Sequence, residues 1–292
     1  MANSLTIDAT GISSSKFNSN TYFEKFFAGL ETEDIYYYGG TPDFAFGQPF
    51  NVSGTQVAAR YTDGTAPQVE NAVLLEGSKI SYDFIHSGAQ FGHGITGGVD
   101  KMVFGTWVEG QTTGTEGIGA AGLVQGFNIG VVVEGLELAA AVGSGPVRET
   151  NSVYNAYKTA QDAEADSMKA ILEQYAIEMM GSGGDDKLVG YAFDDVLIGG
   201  SGDDMMNGKS GDDVAIGGQG DDTAKGRQGS DTLVGGAGND ALMGGGKSDT
   251  LKGGSGDDML SGGRGTDMIS GGAGADTFVI VAGAGREYIK DF

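Results

Sequence analysis

A nine-residue period that runs from residue 181 to residue 279 constrains this chain more than any other feature. Each of its eleven units begins with glycine, carries aspartate at the sixth position and has an apolar residue at the eighth. One insertion or deletion would break this phase, so a general richness in glycine does not explain it. The period therefore predicts a solenoid in which each unit adds one structural step.

The unit Gly199–Asn207 shows what each position contributes. Glycines at positions one, two and four favour a tight turn with positive φ angles and bring backbone carbonyls close to an ion. The aspartate supplies a hard anionic oxygen, the ligand type that calcium prefers. The last three residues predict a short strand whose middle side chain points inward. The predicted inward residues are Leu188, Leu197, Met206, Ala215, Ala224, Leu233, Leu242, Leu251, Leu260, Ile269 and Phe278.

Stacking of alternate units predicts where cations bind. Two repeats complete one turn, so an ion fits between repeat n and repeat n + 2, and eleven repeats give at most nine such sites. Phe193 and Lys247 replace the fourth-position glycine and predict weak or missing sites, so we expect about seven to nine calcium ions. The predicted ligands are Asp186, Asp195, Asp204, Asp213, Asp222, Asp231, Asp240, Asp249, Asp258, Asp267 and Asp276.

Charge indicates why this segment needs a cation. Residues 181–292 contain 19 acidic and 9 basic residues, and the acidic ones fall into files. Without metal these files repel one another and the narrow core does not compensate, so we predict disorder until calcium binds. A flexible linker is the alternative, but a linker needs no apolar residue at every ninth position.

The pattern resembles the G-G-x-G-x-D-x-U-x repeat of RTX calcium-binding β-rolls. This resemblance implies a secreted protein, extracellular or at the cell surface, that leaves the cell unfolded through a type I ABC exporter. The N-terminal residues lack the basic start and apolar stretch of a secretory signal peptide. Residues 280–292 are interpreted as a terminal cap of the roll or as part of a secretion-signal region.

Residues 1–180 have a globular composition and predict a separate α+β domain, an antiparallel sheet with flanking helices, ahead of the all-β parallel roll. A capping box at Thr21 introduces a predicted helix, and helical spacing returns over 152–179. Tyr36, Tyr37 and Tyr38 are predicted to begin a loop. Strands are predicted at 56–61, 72–75, 79–85, 99–108, 122–129 and 131–138, joined as antiparallel hairpins.

Residues 79–105 resemble the haem-binding loop and following strand of HasA-type hemophores, a family of secreted haem-acquisition proteins. They share a tyrosine at a strand end, a loop with histidine, and a Val-Asp-x-Met-x-Phe-Gly strand. The resemblance implies that Tyr82 ligates haem iron as a phenolate and that His93 accepts its hydrogen bond. It also implies an outer-membrane receptor as a partner.

This chain departs from the hemophore pattern around the proposed ligand. The interval from Tyr82 to His93 is longer than the family's usual spacing, and His86 is a rival partner nearer in sequence. Because the chain has no other histidine, the opposite haem face would be left open or filled from Tyr36–Tyr38. The structural alternative is that Tyr82 packs at a strand end and His93 lies in a turn.

Two hypotheses of function follow. The first is extracellular haem capture by a calcium-dependent secreted protein. The second is a structural protein of a matrix, filament or surface layer, or an adhesin, whose head domain mediates self-association. No G-x-S-x-G elbow or other catalytic constellation is present, so we expect no enzyme. The net charge of −23 argues against nucleic acid as a partner, and no apolar run reaches the length of a transmembrane segment.

Overall fold

The computed structural model describes about two thirds of the chain. The described residues are 4–10, 18–19, 22, 31–38, 43–45, 48–50, 53–62, 71–83, 94–107, 127–140, 169–170, 172–281 and 285–291. Their contacts divide the chain into two compact units, one of Met1–Tyr22 with Glu173–Phe292 and the other of Phe23–Leu172.

The first unit contains a parallel β-solenoid of about six turns. Its strands are β1 (Ser4–Asp8), β9 (Ala176–Met180), β10 (Lys187–Val189), β11 (Val196–Ser201), β12 (Met205–Ser210), β13 (Val214–Gln219), β14 (Thr223–Gln228), β15 (Thr232–Ala237), β16 (Ala241–Gly246), β17 (Thr250–Ser255), β18 (Met259–Ala273), β19 (Thr277–Phe278) and β20 (Gly285–Ile289). Strands of the repeats pair with those two repeats further on, as in Leu197 with Ala215. Successive strands therefore alternate between two parallel sheets, as the stacking of alternate repeats predicted.

The first sheet contains β1, β9, β11, β13, β15, β17, the second half of β18, and β20. The second sheet contains β10, β12, β14, β16, the first half of β18, and β19. Most repeat strands are six residues long rather than the predicted three. Pairing continues through the first positions of the next repeat, as in Gly200 with Gly218, which lengthens the strand.

The core of the solenoid consists of two files of apolar side chains, one from each sheet, that face each other between the sheets. Ten of the eleven predicted inward residues, from Leu188 to Ile269, are at most 2% exposed. Phe278 is half-buried because it lies on the last rung of its sheet. The predicted core is thus confirmed along the repeats and opens at the C-terminal end.

Residues from the N-terminus cover the first rung of both sheets. On the first sheet, β1 pairs in parallel with β9, and Ile7 and Met179, which face each other in register, are both buried. On the second, the Ser19 N–H donates to the Lys187 carbonyl at 2.9 Å, and the Val189 N–H donates to Ser19 Oγ at 2.9 Å. These contacts satisfy backbone groups that an open edge would expose.

The second unit contains an antiparallel meander of five strands and a short hairpin. The meander runs β2 (Glu31–Tyr38), β5 (Ser53–Thr62), β6 (Asn71–Asp83), β7 (Gly94–Trp107) and β8 (Phe127–Ala140), and the hairpin joins β3 (Asp43–Ala45) to β4 (Gln48–Phe50). Met102 and Phe104 of β7 and Val133 of β8 are fully buried. The predicted antiparallel hairpins are therefore confirmed.

Some boundaries differ from the predicted ones. Residues 72–75 and 79–83, from two predicted strands, belong to the single strand β6, and β8 contains residues 127–129 and 131–138 of the last two predicted strands. The prediction that Tyr36–Tyr38 begin a loop was wrong: they end β2 and pair with Gln56–Ala58, a placement that suits aromatic residues.

The helix predicted over 152–179 does not reach its predicted end. Residues 176–179 form strand β9, because β1 and β11 pair with its two sides. Most of that helix, and nearly all of the one predicted from Thr21, lie outside the described residues. Within the part of the chain that is described, no helix is long and apolar enough to cross a membrane.

Candidate metal centre

The turns of the solenoid stack in two rows, one for each direction of crossing between the sheets. The first turn row holds the turns that lead from the first sheet to the second, which begin at residues 181, 199, 217, 235, 253 and 271. The second turn row holds those that begin at residues 190, 208, 226, 244 and 262. Each turn ends on a sixth-position aspartate, so each row contains one file of carboxylates.

These carboxylates are buried and bonded to one another's backbone. All of the sixth-position aspartates from Asp186 to Asp267 are at most 2% exposed. The Asp204 N–H donates to Asp222 Oδ1 at 2.8 Å, and the same bond recurs along both rows with a step of 18 residues. It begins at the Ile177 N–H, which donates to Asp195 Oδ1 at 2.7 Å. Each file is therefore held in register by one carboxylate oxygen per residue.

The second oxygen of these carboxylates is left without a donor. Among the described residues, eight Oδ2 atoms are inaccessible to solvent and have no hydrogen-bond partner: those of Asp204, Asp213, Asp222, Asp231, Asp240, Asp249, Asp258 and Asp267. A buried anionic oxygen without a donor is strongly unfavourable. Hard oxygens in stacked pairs are also what calcium takes as ligands. These Oδ2 atoms are therefore suitable ligands for calcium.

The first two aspartates of the files differ from the rest. The Ser182 N–H donates to Asp186 Oδ2 at 2.5 Å, and the Ser182 hydroxyl lies within 3.0 Å of both oxygens. The Tyr191 N–H donates to Asp195 Oδ2 at 2.6 Å. These two carboxylates are thus partly satisfied by the protein, and the need for a cation is weaker at the N-terminal rungs.

The glycines of the repeat serve two different purposes. Positive φ angles occur at positions two and four, for example +112° at Gly200 and +108° at Gly202. The first-position glycines are not in this region, contrary to our prediction. Instead a Cβ on Gly181 would lie 2.6 Å from Asp186 Oδ2, and one on Gly199 would lie 2.8 Å from the Gly217 carbonyl oxygen. The first glycine therefore makes room for the carboxylate file.

Burial raises the pKa values of several aspartates in the carboxylate files. It raises the pKa of Asp204 and of Asp249 to about 7 and that of Asp240 to about 6, and repulsion from the neighbouring aspartates of the file adds to this. The backbone N–H donors act in the opposite direction. In the absence of a cation, these carboxylates therefore begin to take up protons near neutral pH, well above the ordinary range of an aspartate.

A second ladder, at the fifth position, runs along the surface in the opposite sense. The Asp221 N–H donates to Asp203 Oδ1 at 2.9 Å, and the Asn239 N–H donates to Asp221 Oδ1 at 2.7 Å. Asn239 Oδ1 in turn accepts from the Asp257 N–H at 2.8 Å. Asparagine takes the same place as aspartate, so this ladder depends on hydrogen bonding and not on charge. The nine-residue pattern did not reveal it, because position five varies.

The two turn rows carry different charges. Their basic residues all lie in the second turn row: Lys209, Arg227, Lys247 and Arg264. Lys209, Arg227 and Lys247 have φ angles of 77°, 80° and 75°, which are unfavourable for any residue with a Cβ. Lys247 Nζ lies 3.3 Å from Asp212 Oδ1. These basic side chains therefore partly neutralise the aspartates of the second row. The same row contains both turns in which another residue replaces the fourth-position glycine.

A bound cation would combine few side chains with backbone oxygens. Among the described residues, no three His, Cys, Asp or Glu side chains form a cluster that could hold a metal. Two carboxylates from neighbouring rungs would therefore need backbone carbonyls to complete the oxygen shell of calcium. The glycine turns leave the backbone free to approach an ion.

The proposed haem ligands are only partly described. Tyr82 is the next-to-last residue of β6 and pairs with Ile95 of β7, while Asp83 pairs with Gly94. His86 and His93 lie outside the described residues, within the connection between these two strands. The register nevertheless brings Asp83, which follows Tyr82, opposite Gly94, which follows His93.

Comparison with known proteins agrees with the geometry of the repeats. Residues 180–215, 216–246 and 243–278 match the RTX calcium-binding nonapeptide repeat. Residues 180–278 are RTX calcium-binding repeats. A comparison with curated proteins gave no match.

Solved structures of hemophores are similar to part of the chain. An apo structure of the hemophore HasA from Yersinia pestis is 17% identical, with a TM-score of 0.37. The holo structure of that hemophore is also 17% identical, with a TM-score of 0.35. Each match covers 57% of this chain and 87% of the hemophore chain.

The raised pKa values of the buried aspartates predict an unusual pH dependence of folding in the absence of metal. Protonation of a group whose folded-state pKa exceeds its ordinary value of 3.8 favours the fold, and this contribution disappears as pH rises through about 7. In chelator, solenoid β structure should therefore increase between about pH 8 and pH 5, as followed by circular dichroism. In saturating calcium, protons compete with the cation and the trend should reverse. Acid-induced loss of β structure in chelator would contradict this account.

Lys247 should weaken cation binding in the second turn row. Lys247→Gly and Lys247→Ala both remove its charge, so both should bind calcium more tightly in a titration. Only Lys247→Gly also relieves the positive φ angle, which should add about 1 kcal/mol to the free energy of unfolding in saturating calcium. Lys252→Ala, on the exposed face of β17, is the control and should change neither property. Unchanged affinity in both Lys247 variants would show that the rows do not differ as described.

Proposed function

We propose that this protein is a non-enzymatic, calcium-dependent extracellular protein whose solenoid becomes ordered when calcium binds between its stacked turns. The eight buried Oδ2 atoms without donors carry the proposal. The sixth-position aspartates from Asp186 to Asp276 are the proposed ligands, and about seven to nine ions the proposed complement. Calcium supplies the positive charge that lets neighbouring carboxylates remain ionised in a buried file.

The residues of the repeat prepare this site before any cation arrives. Backbone N–H groups fix one oxygen of each aspartate, so the other oxygen is oriented without further ordering of the side chain. First-position glycines leave space beside it. Burial excludes water, which strengthens the attraction for a cation and the repulsion in its absence. Folding is therefore coupled to the calcium concentration.

Calcium dependence supports an extracellular location. Sites of micromolar to millimolar affinity stay empty in the cytosol and fill outside the cell. We propose secretion through a type I ABC exporter, with residues 181–279 passing through it unfolded. Residues 280–292 are the proposed cap or secretion-signal region. The proposed mechanism makes the change of compartment the trigger for folding.

We also propose that residues 1–180 form an α+β hemophore-like domain that captures haem. The support is the sequence match over 79–105 and the hairpin of β6 and β7, which places Tyr82 at the end of a strand. Tyr82 is the proposed iron ligand, with His93 or His86 as the acceptor of its hydrogen bond. A histidine that accepts the phenol proton favours the phenolate, a hard ligand for ferric iron. An outer-membrane receptor would then take up the haem.

A structural role is the second candidate, and the unequal turn rows favour it. The first turn row exposes Asp203, Asp221 and Asp257 and contains no basic residue in its turns, whereas the second contains four. The basic side chains of the second row can pair with the exposed aspartates of the first row of another copy, which would build a filament or surface layer. This candidate predicts self-association in calcium and no haem binding.

Adjacent aspartates offer a matched test of calcium binding. Asp222→Asn removes charge from a buried file, so it should reduce the number of bound calcium ions and raise the calcium midpoint of β formation. Asp221→Asn alters the neighbouring surface ladder, where asparagine already serves at Asn239, and should leave both properties unchanged. Circular dichroism and equilibrium dialysis on the full chain measure the two effects. Equal behaviour of the variants would contradict the assignment of the buried files as ligands.

Haem capture has a direct spectroscopic test. Haemin added to the full chain in calcium should produce a Soret band, and Tyr82→Phe should abolish or strongly shift it. Tyr288→Phe, in the exposed part of β20, is the matched control and should retain the band. Absence of a band in the native protein would remove haem capture and leave the structural candidate, which light scattering in calcium then examines.

A further inference from the structure

The last strand of the solenoid lies outside the nine-residue pattern. β20 pairs in parallel with the second half of β18, so that Asp267 lies opposite Glu287 and Ile269 opposite Ile289. The step between these partners is 20 residues, two more than the 18 of the repeats. The connection is therefore longer, and the shift in phase hides this rung from the repeat pattern, whose family match ends at residue 278.

Glu287 continues the carboxylate file of the second turn row. That file runs through Asp231, Asp249 and Asp267, and the register makes Glu287 the next member. Its Oε1 atom is inaccessible to solvent and has no hydrogen-bond partner among the described residues. Asp267, on the rung before, is fully buried and also has an Oδ2 atom without a donor. Two neighbouring rungs thus each present an unsatisfied carboxylate oxygen.

Contacts at the end of β20 hold this rung in place. Asp291 accepts hydrogen bonds from the Ser270 hydroxyl at 2.8 Å and from the Gly271 N–H at 3.0 Å. The Lys290 N–H donates to the Ile269 carbonyl at 3.0 Å. None of these bonds uses Glu287, so its carboxylate remains available. The hydrogen bonds of Asp291 thus fix the strand, whereas the buried Glu287 Oε1 atom has no hydrogen-bond donor.

We propose that Asp267 and Glu287 form an additional calcium site, beyond the nonapeptide repeats, that closes the solenoid at its C-terminal end. The proposal rests on the proposed function, because it assumes that the carboxylate files bind calcium. The ligand class follows from the donors: two hard carboxylate oxygens, one from a glutamate that is also able to bind through both oxygens. A hydrogen-bond donor from the protein would serve as well, but none of the described residues supplies one.

A site at this position would make the terminal rung depend on calcium. The N-terminal rung is covered by β1 and Ser19, which are held by ordinary backbone hydrogen bonds. At the other end, Phe278 is half-buried and Val279, Ile280 and Val281 are exposed, so the core is less well covered. Calcium between Asp267 and Glu287 would attach β20 to the repeats and limit fraying there.

The number of bound ions tests the site directly. Equilibrium dialysis of the full chain against calcium should show one ion fewer per molecule for Glu287→Gln than for the native protein. Glu287→Asp keeps the carboxylate and should keep the native number. Glu178→Gln, the same change in strand β9 of the same sheet, is the matched control and should also bind the native number. A native count in Glu287→Gln would overturn the proposal.

Hydrogen exchange on the native protein gives a readout that does not depend on the folding of any variant. The Lys290 amide should gain protection as calcium is added, and Glu287→Gln should lose that protection while amides of β13 and β15 keep theirs. Protection of Lys290 that is the same in chelator and in calcium would overturn the site. Failure of the native chain to bind any calcium would instead refute the proposed function, so the two failures are distinguishable.

Discussion

The structure of the solenoid depends on one electrostatic problem, the burial of carboxylate oxygens that the protein itself does not satisfy. Each file fixes one oxygen per aspartate through the backbone and leaves the other without a donor. A narrow core of single apolar side chains stabilises a rung only modestly, because each residue buries little area. Under the proposed function, the fold is therefore favourable only when positive charge, from protons or from a metal, reaches the files.

The recurring glycines of the period are explained by the same buried carboxylates. First-position glycines keep Cβ atoms out of the space next to the carboxylates, while glycines at positions two and four adopt the left-handed backbone that reverses the chain. The second turn row departs from this arrangement by placing Lys209, Arg227 and Lys247 at strained φ angles. The basic side chains there reduce the repulsion within the file. One molecule thus combines a row without basic residues in its turns with a row that is already partly neutralised.

The sequence predicted the solenoid well because its determinants are local and periodic. The phase alone identified the inward residues, the alternation of rungs and the carboxylate files. It did not predict that β1 and Ser19 cover the first rung, since such contacts join residues that are about 170 positions apart in sequence. Glu287 was missed because a longer connection shifts the phase by two residues. The end of the helix predicted to Met179 was wrong because pairing on both sides of β9 overrides helical periodicity.

Anomalous X-ray scattering from crystals grown in calcium would test the central claim most directly. If the files bind calcium, anomalous peaks should lie between successive rungs of both turn rows, each next to an Oδ2 atom from Asp204 to Asp267, and be weakest beside Lys247. Well-ordered rungs with hydrogen-bonded water or protonated carboxylates in those places, and no anomalous peaks, would contradict the account.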